Sequence, residues 1–293
     1  MKETVTLSNE FLTITTRSQG GELISLKDQN GTEYIWQGDP TYWAGHAPVL
    51  FPIVGKISEG MMTEDGQPIS MPRHGVARRQ NFSIREEIQN RVTYSLTENE
   101  ETLSEFPFPF RLDTSYTLRD KQVLSTFTVT NTGSSPLPFQ VGGHPAFRCP
   151  LNPEDSFEDA TLIFEKDEQI ESPLLDEETG LIDYQQRYRV LYNDRVLKLR
   201  HSLFRKDALI IENPNSHQVT LSIKEHPVLN FQYLGFPYLV LWSSANDGPF
   251  ICLEPWTGLP SALKEDAVFE HKRGIITLSP NESRSFTYII TIL

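Results

Sequence analysis

Cysteine is scarce in this sequence: only Cys149 and Cys252 occur among its 293 residues. Two cysteines do not make a disulfide framework, so we expect two buried thiols in a reducing compartment. The N-terminal segment has no apolar stretch long enough for a signal peptide or a membrane span. These absences predict a cytoplasmic protein with no membrane partner.

Basic residues are also in short supply. The chain has 26 lysines and arginines against 39 acidic residues, which gives a formal net charge of −13. A nucleic-acid partner is therefore not expected, because phosphate backbones are bound by basic surfaces.

The common motifs of metal and nucleotide chemistry are missing as well. No pair of histidines has the HxxxH or HExxH spacing of a metal site, and GxSxG, Walker and GxGxxG motifs are absent. Cys252 has no basic neighbour in sequence that would activate a thiolate. We therefore predict no bound metal and no organic cofactor.

The pattern that is present has a period of two. Val123, Phe127 and Val129 alternate with threonines, and the C-terminal segment from Phe286 to Ile292 alternates in the same way. Turn signals such as Asn30-Gly31 separate these runs, and 20 prolines disfavour long helices. The pattern predicts an all-β fold, a large antiparallel sandwich, in one domain over residues 1–293. The acidic stretch 165–183 is expected to be a solvated loop.

Three segments place titratable residues among glycines, prolines and aromatics. They are PRHGVARR at 72–79, VGGHPAF at 141–147 and FICLEPWTG at 250–258. In a strand, Cys252 and Glu254 would face one side while Ile251 and Leu253 face the other. A carboxylate beside Pro255 and Trp256 would be partly desolvated, which raises its pKa towards that of a useful base.

Simpler interpretations of these residues exist. Glu254 alone would also fit a strand-end carboxylate paired with a surface lysine. His144 and His74 would fit structural hydrogen bonders, and Arg73, Arg78 and Arg79 would fit partners for surplus carboxylates. Residue type alone does not decide between these interpretations.

The three segments together resemble the aldose 1-epimerase (galactose mutarotase) superfamily, and most closely its LacX-like bacterial branch. The resemblance runs nearly end to end, and its order and spacing are more specific than any one piece. The segments that carry it are GGELISLK at 20–27, YIW at 34–36, PVLFPIVG at 48–55, RHGVAR at 73–78, FPFPF at 106–110, GHP at 143–145 and CLEPW at 252–256.

The resemblance implies a twisted β-supersandwich with a sugar cleft, and an aldose 1-epimerase activity that needs no cofactor. It assigns the general base to Glu254 and the general acid to His144. His74 matches a second sugar-binding histidine, and Asp207 matches an acidic residue that holds sugar hydroxyls. We also assign sugar binding to the polar and aromatic residues of the matching segments, namely Lys56, Arg73, Arg78 and Trp256.

Two departures bear on the substrate. Classical galactose mutarotases carry an Asn-Arg pair where this chain has Gly55-Lys56-Ile57, and lysine lacks the bidentate fork of arginine. The HGVAR segment resembles hexose-6-phosphate mutarotases, but their Arg-Gly-Gly stretch is replaced here by WAGH at 43–46. We expect a neutral aldohexose as substrate. A hexose 6-phosphate is the alternative, and a structural role for Arg78, pinning its own loop through backbone carbonyls, also stays open.

Other functions remain open on sequence alone. A non-catalytic sugar sensor could use the same scaffold, since fold does not fix function. A glycosidase or lyase would need a second carboxylate, for which Asp207 is the candidate. We expect a monomer or a homodimer. The proposed chemistry predicts that Glu254, His144 and His74 line one cleft, with Glu254 and His144 held apart by about the width of a pyranose.

Overall fold

Strands dominate the computed structural model, which describes residues 3–293. The strands, in chain order, are β1 Thr4–Ser8, β2 Leu12–Arg17, β3 Glu22–Asp28, β4 Val49–Leu50, β5 Ser83–Ile88, β6 Arg91–Thr97, β7 Phe110–Arg119, β8 Gln122–Asn131, β9 Leu137–Phe139, β10 Gly142–Gly143, β11 Ala146–Arg148, β12 Ala160–Leu175, β13 Ile182–Lys198, β14 Leu209–Glu212, β15 Gln218–Ile223, β16 His226–Gln232, β17 Tyr238–Trp242, β18 Phe250–Trp256, β19 Ile276–Leu278 and β20 Ser283–Ile292.

Helices are short and few over the same residues. The α-helix α1 spans Glu100–Glu105, and 3₁₀ turns occupy Ala77–Arg79, Phe157–Asp159, His201–Phe204 and Phe269–His271. Asn99 caps α1 by accepting a hydrogen bond from the Thr102 amide. No helix within residues 3–293 has the length and apolar character needed to cross a membrane. The predicted all-β fold is confirmed.

The largest sheet has nine antiparallel strands in the order β13-β12-β15-β16-β20-β8-β7-β6-β5. The period-two pattern explains its two faces. Phe127 lies opposite Phe286 across β8 and β20, and both are buried. On the other face, Thr126 and Thr287 share a hydrogen bond of 2.8 Å, the kind of cross-strand pair that stabilises a sheet.

A second sheet runs β14-β17-β18-β10-β4, with β11 also paired to β18. Every residue of β18 is buried, so this strand lies in the interior of the protein. Ile251 and Leu253 of β18 belong to the same apolar core as Phe127 and Phe231 of the large sheet. The two sheets therefore pack through one shared core.

The acidic stretch 165–183 is not a loop, and that prediction is wrong. It forms about half of a long hairpin, in which β12 and β13 pair antiparallel and a turn at 176–181 joins them. Four register irregularities interrupt the pairing, including shifts at Glu168 and between Pro173 and Leu174. Such bulges break the strict alternation of apolar and polar residues, so a search for a period of two does not detect these strands. Glu168 is buried and accepts hydrogen bonds from the Asn215 and Ser216 amides.

Candidate active site

Glu254 is fixed by the central strand β18. Ile251 and Leu253 enter the shared core, whereas Cys252 packs in a separate aromatic cluster with Trp36 and Phe250. The predicted division of this strand into two faces is therefore observed. Its period of two places the Glu254 carboxylate on the same side as Cys252.

His144 lies directly across from Glu254. Strands β10 and β11 both pair with β18, through Gly142 opposite Trp256 and Ala146 opposite Cys252. The same antiparallel register, continued between these two pairs, sets His144 opposite Glu254. Gly142 permits the close approach, since a Cβ there would lie 2.8 Å from a Trp256 ring carbon.

The separation of the pair corrects one prediction. His144 Nε2 lies 3.3 Å from Glu254 Oε2, less than the width of a pyranose. The register explains this, because opposed side chains on neighbouring strands start from Cβ atoms only about 5 Å apart. The two groups are close, although Glu254 Oε2 has no hydrogen-bond partner of good geometry within residues 3–293.

His74 joins the pair from a different part of the chain. Its ring meets the His144 ring edge-on at 5.5 Å and the Trp256 ring at 5.9 Å between centroids. The Gly55 amide donates to His74 Nδ1 at 3.1 Å, and the His74 amide donates to the Gly55 carbonyl at 2.7 Å. An Nδ1 that accepts a hydrogen bond leaves the proton of a neutral ring on Nε2. His74 is therefore set up as a donor through Nε2.

Burial shifts the pKa values of Glu254 and His144 in opposite directions. Desolvation raises the pKa of Glu254 well above its ordinary value of 4.5, and the Asp207 carboxylate adds to the rise. Desolvation lowers the pKa of His144 from 6.5 to about 3, and the Arg78 and Arg73 guanidinium groups act in the same direction. A proton on the pair therefore resides preferentially on Glu254, next to a neutral His144 ring.

The structure places all eight of the predicted site residues around one cleft of about 660 Å³. Those residues are Lys56, Arg73, His74, Arg78, His144, Asp207, Glu254 and Trp256. They come from segments separated by up to about two hundred positions in sequence, so the fold brings them together. The cleft is within the size range of small-molecule sites.

The basic residues of the cleft differ in how they are engaged. Lys56 Nζ donates to the Thr179 carbonyl at 2.9 Å, and Arg73 lies 3.6 Å from the Asp207 carboxylate. The Arg78 side chain makes no hydrogen bond or ion pair with any residue in 3–293, so the structure shows no contact that would pin its loop. Burial lowers its pKa, and the charges of Arg79 and Arg73 lower it further. Arg78 thus presents a half-buried cation to the cleft.

Several residues around the cleft were not predicted from the sequence. The Trp43 ring stacks on the His144 ring with centroids 4.8 Å apart, and Trp242 meets both rings edge-on. Leu175, Asp176, Glu177 and Gly180, at the tip of the β12–β13 hairpin, form another part of the wall. Trp43 stands two residues before Gly45 in a turn-rich segment, a pattern that could have indicated a site residue. The hairpin tip had no such signal, because the bulged strands beside it do not alternate regularly.

One group of side chains could hold a metal ion. Ligand atoms of His144, Cys252 and Glu254 all lie within 4.8 Å of one another. Spacing rules for metal motifs consider ligands that are close in sequence, so they do not detect a group assembled from two paired strands.

Comparison with known proteins identifies the family. The family model described as aldose 1-epimerase matches residues 3–291. The chain belongs to the aldose 1-epimerase family. Within this family it is similar to two LacX proteins of Lactococcus lactis subsp. lactis, with 39% identity to the chromosomal protein and 40% to the plasmid protein, and 99% of each chain is covered.

Comparison with solved structures shows that this chain has the galactose mutarotase-like fold. A galactose mutarotase related enzyme from Lactobacillus acidophilus matches with a TM-score of 0.92 and 28% identity, covering 99% of this chain and 97% of that one. A galactose mutarotase-like protein from Lactobacillus casei matches with a TM-score of 0.91 and 30% identity, covering 99% and 100%. The predicted supersandwich and the predicted resemblance are both confirmed.

Proposed function

We propose that this protein is an aldose 1-epimerase that interconverts the α and β anomers of an aldohexose, with Glu254 as the base and His144 as the acid. The observation that carries the proposal is the His144–Glu254 pair, 3.3 Å apart and buried at the wall of a sugar-sized cleft. A buried carboxylate and imidazole in contact at a cleft wall are suited to accepting one proton from a substrate and donating another to it.

The reaction needs one proton removed and one delivered. The reactive state is the ion-pair tautomer, in which the proton of the pair has moved from Glu254 to His144. The Glu254 carboxylate then accepts the proton of the C1 hydroxyl while protonated His144 donates its Nε2 proton to the ring oxygen, and the bond between C1 and the ring oxygen breaks. The product is the open-chain aldehyde, with protonated Glu254 and neutral His144. Rotation about C1–C2 and reversal of both transfers close the ring as the other anomer. The proton count returns to its starting value.

The surrounding residues have definite tasks in this scheme. His74 donates through Nε2 to a sugar oxygen, since its Nδ1 is engaged by Gly55. Asp207 accepts from sugar hydroxyls and is positioned by Arg73 at 3.6 Å. Trp43 and Trp256 supply aromatic walls for the apolar face of the ring. Trp43 also fixes the plane of the His144 ring by stacking on it.

One observation favours a second candidate, a hexose 6-phosphate as substrate. Arg78 presents a cation to the cleft with no ion-pair partner among residues 3–293, and such a cation suits an anionic group. Arg73 and Lys56, by contrast, already contact Asp207 and Thr179. A dianion is bound best by two or more free cations, so we propose the neutral aldohexose as the principal substrate.

The test is NMR exchange spectroscopy on a panel of aldoses and their 6-phosphates. This method measures exchange between anomer signals directly and needs no coupling enzyme. We expect exchange of at least one aldohexose to be accelerated in proportion to enzyme concentration. Binding without acceleration for every sugar would instead support a sensor, and cleavage of aryl glycosides without anomerisation would support a hydrolase.

A further inference from the structure

Cys252 is a buried thiol beside the candidate catalytic pair, and the reaction scheme gives it no task. It stands two residues before Glu254 on the same face of β18, and it lies opposite Ala146 in the strand that follows His144. Its Sγ, the Glu254 carboxylate and a ring nitrogen of His144 form a triangle with no side longer than 4.8 Å. Three different kinds of metal ligand thus converge on one point.

The polar atoms of this triangle are poorly satisfied by the protein. Glu254 is 1% exposed, yet its Oε2 has no hydrogen-bond partner within residues 3–293. The 3.3 Å contact between His144 Nε2 and Glu254 Oε2 is close but lacks the alignment of donor and acceptor. His144 Nε2 and Glu254 Oε2 thus lie close together without forming a hydrogen bond. Two ligand atoms of one metal ion are arranged in the same way.

We propose that His144, Cys252 and Glu254 form a binding site for Zn²⁺, and that Zn²⁺ bound there blocks the cleft. Imidazole nitrogen and thiolate sulfur are ligands that select zinc over magnesium or calcium, and three protein ligands with one open position are typical of accessible zinc sites. Zinc bonds of about 2.0–2.3 Å put neighbouring ligand atoms roughly 3.5 Å apart. The side chains need to move by only about 1 Å to reach this geometry.

Binding is balanced in charge. The bound form needs the Cys252 thiolate, the Glu254 carboxylate and a neutral His144 ring. Coordination forms bonds from zinc to sulfur, oxygen and nitrogen and breaks the S–H bond of the thiol, whose proton passes to solvent together with any proton on the other two ligands. The two negative charges of the thiolate and the carboxylate match the charge of one Zn²⁺, so the buried cluster is neutral and the cost of burying an uncompensated charge is avoided.

The neighbouring charges limit the affinity. Arg73 and Arg78 line the same cleft and repel a cation, while Asp207 attracts it. His144 and Glu254 line the cleft whereas Cys252 lies behind them, so the fourth position of the metal faces the cleft. Water would occupy that position.

The metal site itself does not depend on the proposed function; only its inhibitory consequence does. Zinc would engage the two groups assigned to proton transfer. Anomerisation should therefore be inhibited by Zn²⁺ in competition with sugar.

The first experiment measures binding without activity. Cd²⁺ is titrated into the full-length protein, and the ultraviolet charge-transfer band of a cadmium–thiolate bond is recorded. We expect the absorbance of this band to saturate at one Cd²⁺ per chain. The band should disappear in Cys252→Ala and persist in Cys149→Ala, a matched control because Cys149 is also a buried free thiol. A band that survives in Cys252→Ala, or no band in the wild-type protein, would overturn the proposal.

The second experiment measures the effect on anomerisation. The Zn²⁺ concentration for half-inhibition should rise at least about tenfold in Cys252→Ala, since loss of even a ligand's hydrogen-bond partner weakens metal affinity by about 10–100-fold. Basal activity should be kept. If Cys252→Ala does not fold, X-ray absorption at the zinc edge of the wild-type protein decides: one sulfur neighbour with nitrogen and oxygen supports the site, and a shell without sulfur rejects it. Failure of anomerisation with the cadmium band present would reject the proposed function but leave the metal site standing.

Discussion

His144 lies opposite Glu254 of β18, in the two-residue link between β10 and β11, and this register brings His144 Nε2 to within 3.3 Å of Glu254 Oε2. The strand pairings on both sides of the link thus fix the two side chains relative to each other. Their relative position depends on the pairing of β10 and β11 with β18.

Glu254→Gln should lower the rate of anomerisation by roughly 10²-fold or more, because it removes the base and keeps the shape. The fold should be unaffected, since the wild-type carboxyl is already desolvated in its neutral form. Exchange spectroscopy measures the rate, and urea unfolding measures the stability. Glu168→Gln is the matched control: this buried glutamate accepts two backbone amides away from the cleft, so its loss should lower stability and leave the rate intact. A Glu254→Gln protein with most of its activity would contradict the mechanism.

Removal of both members of the pair should cost little more than removal of one. The two groups act in the same concerted exchange of protons, so either single change already disables the transfer, and groups that act as a unit are strongly non-additive. We expect the rate of the double variant Glu254→Gln, His144→Asn to lie within about tenfold of the slower single variant. If the two losses multiply, the two residues act independently.

The His144–Glu254 pair also predicts the direction in which the free energy of unfolding changes with pH. Folding lowers the pKa of His144 and raises that of Glu254, so the unfolded chain binds the histidine proton more tightly and the folded chain binds the carboxyl proton more tightly. The two contributions to the free energy of unfolding therefore have opposite slopes against pH and offset each other above pH 4.5.

Single variants should reveal the two cancelling slopes. In Glu254→Gln only the histidine contribution remains. The unfolded state alone binds that proton, so the free energy of unfolding should fall by up to about 1.4 kcal/mol per pH unit as pH drops below 6.5. In His144→Asn only the carboxyl contribution remains, so the free energy of unfolding should rise as pH drops towards 4.5. Urea titrations across this range test both. The exposed His226→Asn serves as the control. Slopes of equal sign in the two variants would contradict the opposite shifts of the two pKa values.

Arg78→Ala should raise KM for a free aldohexose by about tenfold or more, because a hydrogen bond from a charged group contributes about 1.5–3 kcal/mol. The control is Arg79→Ala, since the neighbouring Arg79 pairs with Glu105 at 2.7 Å and does not line the cleft. The measurement is the steady-state rate of anomerisation, compared between free and 6-phosphorylated hexoses. A preference of a hundredfold or more for the 6-phosphate, lost in Arg78→Ala, would show that the substrate is the phosphorylated sugar.

The residues of the site could be predicted from the sequence, but the distances between their side chains could not. Glu254, His144 and His74 stand in short segments rich in glycine, proline and aromatic residues, and these segments carry the family resemblance. The strand register that brings Glu254 and His144 into contact depends on long-range pairing, which no local pattern encodes. This is why a pyranose-wide gap was predicted where a 3.3 Å contact exists.

The regular strands could be predicted because their residues alternate between a buried and a solvated face. The bulged strands do not alternate in this way. β8 and β20 have one buried and one solvated face, so their residues alternate without interruption. β12 and β13 contain bulges and many charged side chains, and their stretch was predicted as a loop. The missing part of the cleft wall, at Asp176 and Glu177, lies at the tip of this same hairpin.

The interior position of β18 has a consequence for amide hydrogen exchange. Glu254 belongs to a strand that is buried at all seven residues and paired on both edges, so its backbone amides should exchange only on global unfolding. The 176–181 turn, at the free end of an edge hairpin, should exchange through local opening at far lower free energy. The candidate chemical groups would then stay in register while one wall of the cleft opens, and sugar could enter and leave without disturbing them.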